Sequence, residues 1–95
     1  MNPINVQIIW DLPDEPNGNY RHIVDGHDVT IDEVEEVLLG SRSVGAISRT
    51  SESPAVFGWT STGKYIFVVY EEVMSDPRIL YPITAYPVPP PGESA

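Results

Sequence analysis

Hydrophobic positions along this chain change their period once, near Val44. Before that point the clearest pattern is Ile31, Val34, Val37 and Leu38 at helical spacing, with Asp32, Glu33, Glu35 and Glu36 facing the other way. Thr30 stands three residues before Glu33, the spacing at which each side chain satisfies the other's free backbone N–H. Acids in the first turn suit the positive end of the helix dipole, and Gly40 suits a helix stop. The pattern predicts an amphipathic helix over residues 30–39, laid on something apolar.

Residues 6–10, rich in β-branched and aromatic side chains, read as an opening strand ended by Asp11-Leu-Pro13. The stretch 11–18, with two prolines, three acids and Asn-Gly, reads as loop. Residues 19–24 are expected to form one or two helical turns, broken at Asp25-Gly26. From Val44 the period is two. Strands are predicted at 44–49, 55–60, 65–71 and 78–85, with turn chemistry at 51–54, 61–63 and 74–77. Residues 65–70 are apolar at every position, as expected of a central strand covered on both faces. Short links between consecutive strands imply an antiparallel meander. The fold class is therefore α+β: an N-terminal strand, one or two helices, then a four-stranded meander. One domain is expected over residues 1–86, followed by a disordered proline-rich tail, 87–95, in which Pro87 and Pro90 carry P-x-x-P spacing.

Composition narrows the function classes. Ninety-five residues fit one small domain. Fourteen acids against five Lys and Arg leave a net charge of −9, which repels phosphate backbones and disfavours broad nucleic-acid binding. The charge is uneven: −8 over residues 1–38, +2 over 39–64 and −3 over the remainder. An anionic ligand is therefore expected to approach the middle segment. The absence of cysteine removes disulfides, thiolate nucleophiles and Cys-based metal sites. No signal-peptide pattern and no apolar run of membrane-spanning length occurs, so the expectation is an aqueous, cytoplasmic protein with no membrane partner.

Five candidate chemistries follow from side chains alone. His22, Asp25, His27 and Asp28 have the composition of a transition-metal site but no demanding ligand spacing, and neither metal nor cofactor is expected. Residues 11–18 resemble a calcium loop, yet His22 stands where the bidentate Glu belongs. The serines lie in no G-x-S-x-G context and the glycines in no phosphate loop. What remains is metal-free RNA cleavage, in which a base takes the 2′-hydroxyl proton, a cation steadies the phosphorane and an acid protonates the leaving oxygen. His22 or His27 suits the proton transfers; Arg49, Lys64 or Arg78 suits the phosphate. The alternative is that these cations are ordinary surface residues at strand ends.

The order of residues resembles a known family. Trp10-Asp11, Asn19-x-x-His22-Ile23 and His27-x-Val29-Thr30, with Asp32-Glu33-Val34-Glu35-Glu36-Val37-Leu38, resemble the front half of BrnT toxins. Phe57-Gly58-x-Thr60-x-x-Gly63-Lys64-Tyr65, Val68-Val69-Tyr70 and Ile83-Thr84-Ala85 are similar to their back half. The resemblance spans residues 8–86 and implies a RelE-like fold, a type II toxin–antitoxin system, ribonuclease activity and a BrnA-like antitoxin partner. It marks Trp10, Asp11, Asn19, His22 and His27 as pattern residues, with Lys64 in the place of a basic residue after glycine. Members usually read Ala-Arg after the last strand, where this chain has Ala85-Tyr86, and they continue into a charged helix where this chain has five residues from Pro87 to Pro91.

Two readings stand at this point. One is a BrnT-like, metal-independent ribonuclease or a degenerate descendant, with His22, His27, Arg49 and Lys64 as its site. The other is a non-catalytic interaction module on the same scaffold, presenting its acidic half to a basic partner. A metal-dependent hydrolase built on the histidine cluster is more distant. Oligomeric state is left open, although an exposed edge over residues 44–49 permits dimerisation.

Overall fold

A computed structural model describes residues 6–40, 43–47 and 52–90. Five strands, β1 (Val6–Ile8), β2 (Val44–Ile47), β3 (Pro54–Trp59), β4 (Tyr65–Ser75) and β5 (Arg78–Pro87), form one sheet in the order β1-β5-β4-β3-β2. The links from β2 to β5 are short, so these four strands pair antiparallel with their sequence neighbours. β1 pairs parallel with β5, Val6 opposite Arg78 and Ile8 opposite Leu80, which makes the sheet mixed. Two helical segments fill the crossover from β1 to β2: a π-helical turn, Arg21–Asp25, and an α-helix, α1, Ile31–Leu39.

α1 begins as its sequence requires. The Glu33 N–H donates to Thr30 Oγ1 at 3.1 Å and the Thr30 N–H to Glu33 Oε1 at 3.0 Å. Val34 and Val37 are buried, and with Ile23, Val29, Ile66, Val68 and Ala85 they form the core between α1 and one face of the sheet. Trp10, Leu38 and Val56 close its sides. Complete burial of a side chain such as Ile66 or Val68 contributes about 1.5–3 kcal/mol, so this layer is the main source of stability. Gly58 lets α1 approach β3: a Cβ there would lie 2.6 Å from Ser43 Oγ and 3.0 Å from a Val37 methyl.

Several local expectations change. Glu33 does not face solvent with the other acids but is buried, because Thr62 and Lys64 reach it from the β3–β4 turn. Asp25-Gly26 does not break the first helical segment; Gly26 keeps right-handed helical angles, and helical structure runs on to His27. Gly40 is the C-cap of α1, as its place in the sequence suggests; it is extended (φ −75°, ψ 137°), and its lack of a Cβ matters because one would sit 2.9 Å from the Glu36 carbonyl. β4 is covered by α1 on one face; its other face carries buried Val69 and half-buried Phe67 and Tyr65, both packed against Phe57.

β4 and β5 run longer than the period-two pattern suggested. Pro82 is accommodated in β5 next to a bulge opposite Val69 and Tyr70. Pro87 ends the strand, and the Val88 N–H donates to the Tyr65 carbonyl at 2.9 Å, so the expected domain boundary at 86 falls inside a paired segment. The rest of the expected tail, from 91 onward, lies outside the described residues. No helix among the described residues is long and apolar enough to cross a membrane.

Candidate functional site

Asn19 fixes the ground on which the site stands. Its side-chain amide donates to the carbonyls of Ile9 and Pro82, at 3.1 and 2.9 Å, and its Oδ1 accepts the Asp11 N–H at 2.9 Å. Asp11 answers by accepting the Asn19 N–H and, at 2.6 Å, the Tyr81 hydroxyl. This mutual lock ties the 11–18 loop to β1 and β5 and holds the start of the helical segment against β5, past the part that β1 covers. Hydrogen bonds from Tyr81 and then Asn19 hold the Asp11 carboxyl below its ordinary value, against a smaller opposing effect of desolvation. The hydrogen bond to Asp11, helped by burial and the Asp11 charge, pushes the Tyr81 phenol up to about 12. Tyr81 therefore keeps its proton at neutral pH and serves as a clamp.

The π-helical turn then sets the histidines. In an α-helix five steps rotate a side chain through roughly 500°, leaving residues five apart about 140° out of line. The wider coil of a π turn, with i to i+5 hydrogen bonding, brings such residues back to one side. His22 and His27 accordingly meet edge-on, with ring centroids 5.0 Å apart. His22 Nε2 is 3.0 Å from Thr84 Oγ1, and the His27 ring lies 5.7 Å from that of Tyr86. Beyond Tyr86 the aromatic contacts continue across the open face of the sheet through Phe67, Phe57 and Tyr65 to Trp59. Val44, Phe57, Phe67 and Tyr86 are successive register partners, one row crossing four strands. His22 also lines an open recess of about 600 Å³ with Asn17, Arg21, Asp25 and Tyr81 in its wall.

Lys64 stands at the end of the β3–β4 turn, beside α1. Its Nζ donates to the Asp28 carbonyl at 2.7 Å and to Glu33 Oε1 at 3.1 Å. Asp28 has left-handed backbone angles (φ 60°), so this contact helps hold the bend between the π-helical turn and α1. Burial alone would raise the Glu33 carboxyl; hydrogen bonds from Thr62, Thr30 and Lys64, with the Lys64 charge, outweigh it and leave the pKa below the ordinary value. Arg21 lies 3.8 Å from Asp25 and Arg78 lies 3.5 Å from Glu72. Each described cation thus has a carboxylate beside it. Arg49 lies outside the described residues.

The structure thus brings His22 and His27 together, with Thr84 and Tyr86 as neighbours that residue type and spacing did not single out as site members. Among the described residues no group of three or more His, Asp or Glu side chains is placed to hold a metal ion. The chain matches no family model, no curated protein and no solved structure. The pattern residues Trp10, Asp11 and Asn19 act in holding the fold, Trp10 by donating its indole N–H to Glu35 at 3.0 Å. Chemically, two imidazoles beside a hydroxyl and a phenol can exchange and relay protons. Among the described cations, Lys64 is held by a buried carboxylate, whereas Arg21 and Arg78 lie beside exposed ones at 3.8 and 3.5 Å.

Proposed function

We propose that this protein is a binding module of BrnT-like, toxin–antitoxin lineage that holds a basic, BrnA-like partner protein and does not cut RNA. The observation that carries this reading is the engagement of Lys64 with Glu33 and the Asp28 carbonyl. Phosphoryl transfer needs a cation held ready for charge that develops in the transition state, and this one is already committed to a buried carboxylate. Exposed Asp14, Glu15, Asp32 and Glu36 supply the complementary surface for a basic partner, with attraction that speeds encounter and is screened by salt.

The test is expression without a partner, scored by growth and by RNA integrity, together with capture of the protein encoded by the adjacent reading frame. Normal growth, intact RNA and capture that weakens roughly tenfold between low and high salt are expected. Growth arrest with RNA cleavage, abolished by His22→Ala, would overturn the reading in favour of ribonuclease activity. That second reading rests on the edge-on His22–His27 pair, whose rings are suited to the general base and general acid of 2′-hydroxyl attack.

A further inference from the structure

The recess beside His22 is walled by Asn17 and Gly18 of the 11–18 loop, Arg21 and Asp25 of the π-helical turn, and Tyr81 and Ile83 of β5. The lock between Asp11 and Asn19 ties the loop to β5, and Gly18 seats it closely, since a Cβ there would lie 2.6 Å from the Asp11 Cβ. A ligand therefore meets walls already in place, and little affinity is lost in arranging them. The hydrogen-bonding capacity of these walls leans towards acceptance. Tyr81 gives its one proton to Asp11, at 2.6 Å, so its oxygen can only accept from the recess. Asn17 contributes an amide oxygen from the loop. The Asp25 side chain is 61% exposed, and its contact with Arg21 at 3.8 Å is longer than a hydrogen bond, so that contact uses none of the carboxylate's acceptor sites.

Charge selects the occupant. Residues 11–28 carry five acids against Arg21 alone, and the loop that supplies Asn17 and Gly18 also holds exposed Asp14 and Glu15. That field repels a carboxylate or phosphate and draws in a cation. Among cations a guanidinium fits best, because five donors in a planar fork reach acceptors on three walls at once, and its methylene stem can lie along Ile83. An ammonium is a compact, strongly hydrated point charge and matches such a spread of acceptors less well. We propose that this recess receives an arginine side chain of the basic partner, with Asp25 as its principal acceptor, so that it anchors the complex. The proposal rests on the reading of this chain as a module for a basic partner and names the pocket that holds one residue of it. Arg21 is then a competitor for Asp25 and not a ligand-binding cation.

The probes are three terminally blocked tripeptides, Ala-Arg-Ala, Ala-Lys-Ala and Ala-Glu-Ala, titrated into the full chain while its amide chemical shifts are followed by NMR. Saturable shifts centred on Asn17, Gly18, Asp25 and Ile83 are expected with the arginine peptide, about threefold weaker binding with the lysine peptide, and no saturation with the glutamate peptide. Asp25→Asn should weaken the arginine peptide roughly tenfold and Arg21→Gln should strengthen it about threefold. Thermal melts should not change, because both side chains are exposed. Shifts centred on α1, arginine binding that survives Asp25→Asn or weakens in Arg21→Gln, or saturation by the glutamate peptide would overturn the proposal. Capture of the protein encoded by the adjacent reading frame separates this proposal from the reading beneath it. Equal capture by wild type and Asp25→Asn would overturn the arginine anchor and leave the binding module standing. No capture by wild type, with the arginine peptide still bound in the recess, would overturn the choice of partner instead.

Discussion

Glu33 shows how much a single side chain can be asked to do. It caps α1 through Thr30, accepts the Thr62 hydroxyl at 2.5 Å and neutralises Lys64, all while buried. Its folded pKa lies below the unfolded one, so its contribution to stability is complete above the unfolded value and fades as pH falls through the folded value. Glu33→Gln is therefore expected to be less stable than the wild type at neutral pH, by about 1–3 kcal/mol. That gap should narrow as pH drops below roughly 4, which urea unfolding at a series of pH values would measure. The spacing of Thr30 and Glu33 made the capping pair legible in the sequence, because its partners are three residues apart. The engagement of Lys64 was not legible, since its partner is 31 residues away and is brought near only by the β3–β4 turn folding over α1. His22 and His27 fall between these cases: both were candidates by type, but their contact depends on a π turn that helical periodicity does not reveal.

The contact of α1 with the sheet depends on small residues facing it. Gly58 sits where Ser43 Oγ, which donates to the Val37 carbonyl at 2.6 Å, and the Val37 methyls leave no room for a Cβ. Gly58→Ala should cost about 1–3 kcal/mol by overpacking. Thr30→Ala, which removes the cap without moving the helix, should cost about 1 kcal/mol. Urea midpoints with unchanged slopes would establish both values, and a neutral Gly58→Ala would contradict the close approach. At this scale the elements from Thr30 onward followed from local pattern: a capped 3.6-period helix, then period-two strands punctuated by turn residues. Strand ends were less legible. Pairing carried β4 to Ser75 and β5 to Pro87 because partner strands satisfied backbone groups that composition alone assigned to turns or tail.

Over the whole molecule the net charge of −9 has two consequences. Self-repulsion works against the compact state, and screening relieves it. Raising sodium chloride from 20 to 500 mM is expected to lift the melting temperature by roughly 2–5 °C, and a fall would mean that the three described ion pairs outweigh the repulsion. The same charge opposes nonspecific binding to RNA. The sequence by itself determined the α+β class, the capped helix and the consecutive hairpin strands, because these depend on periodicity and on partners a few residues apart. Only the tertiary structure decided that β1 lies parallel to β5, that the open sheet face is an aromatic row running to the histidines, and that Lys64 is committed to Glu33. The deciding contacts are long-range, Val6 with Arg78, His27 with Tyr86 and Lys64 with Glu33, where chain topology, and no local pattern, chooses the neighbour.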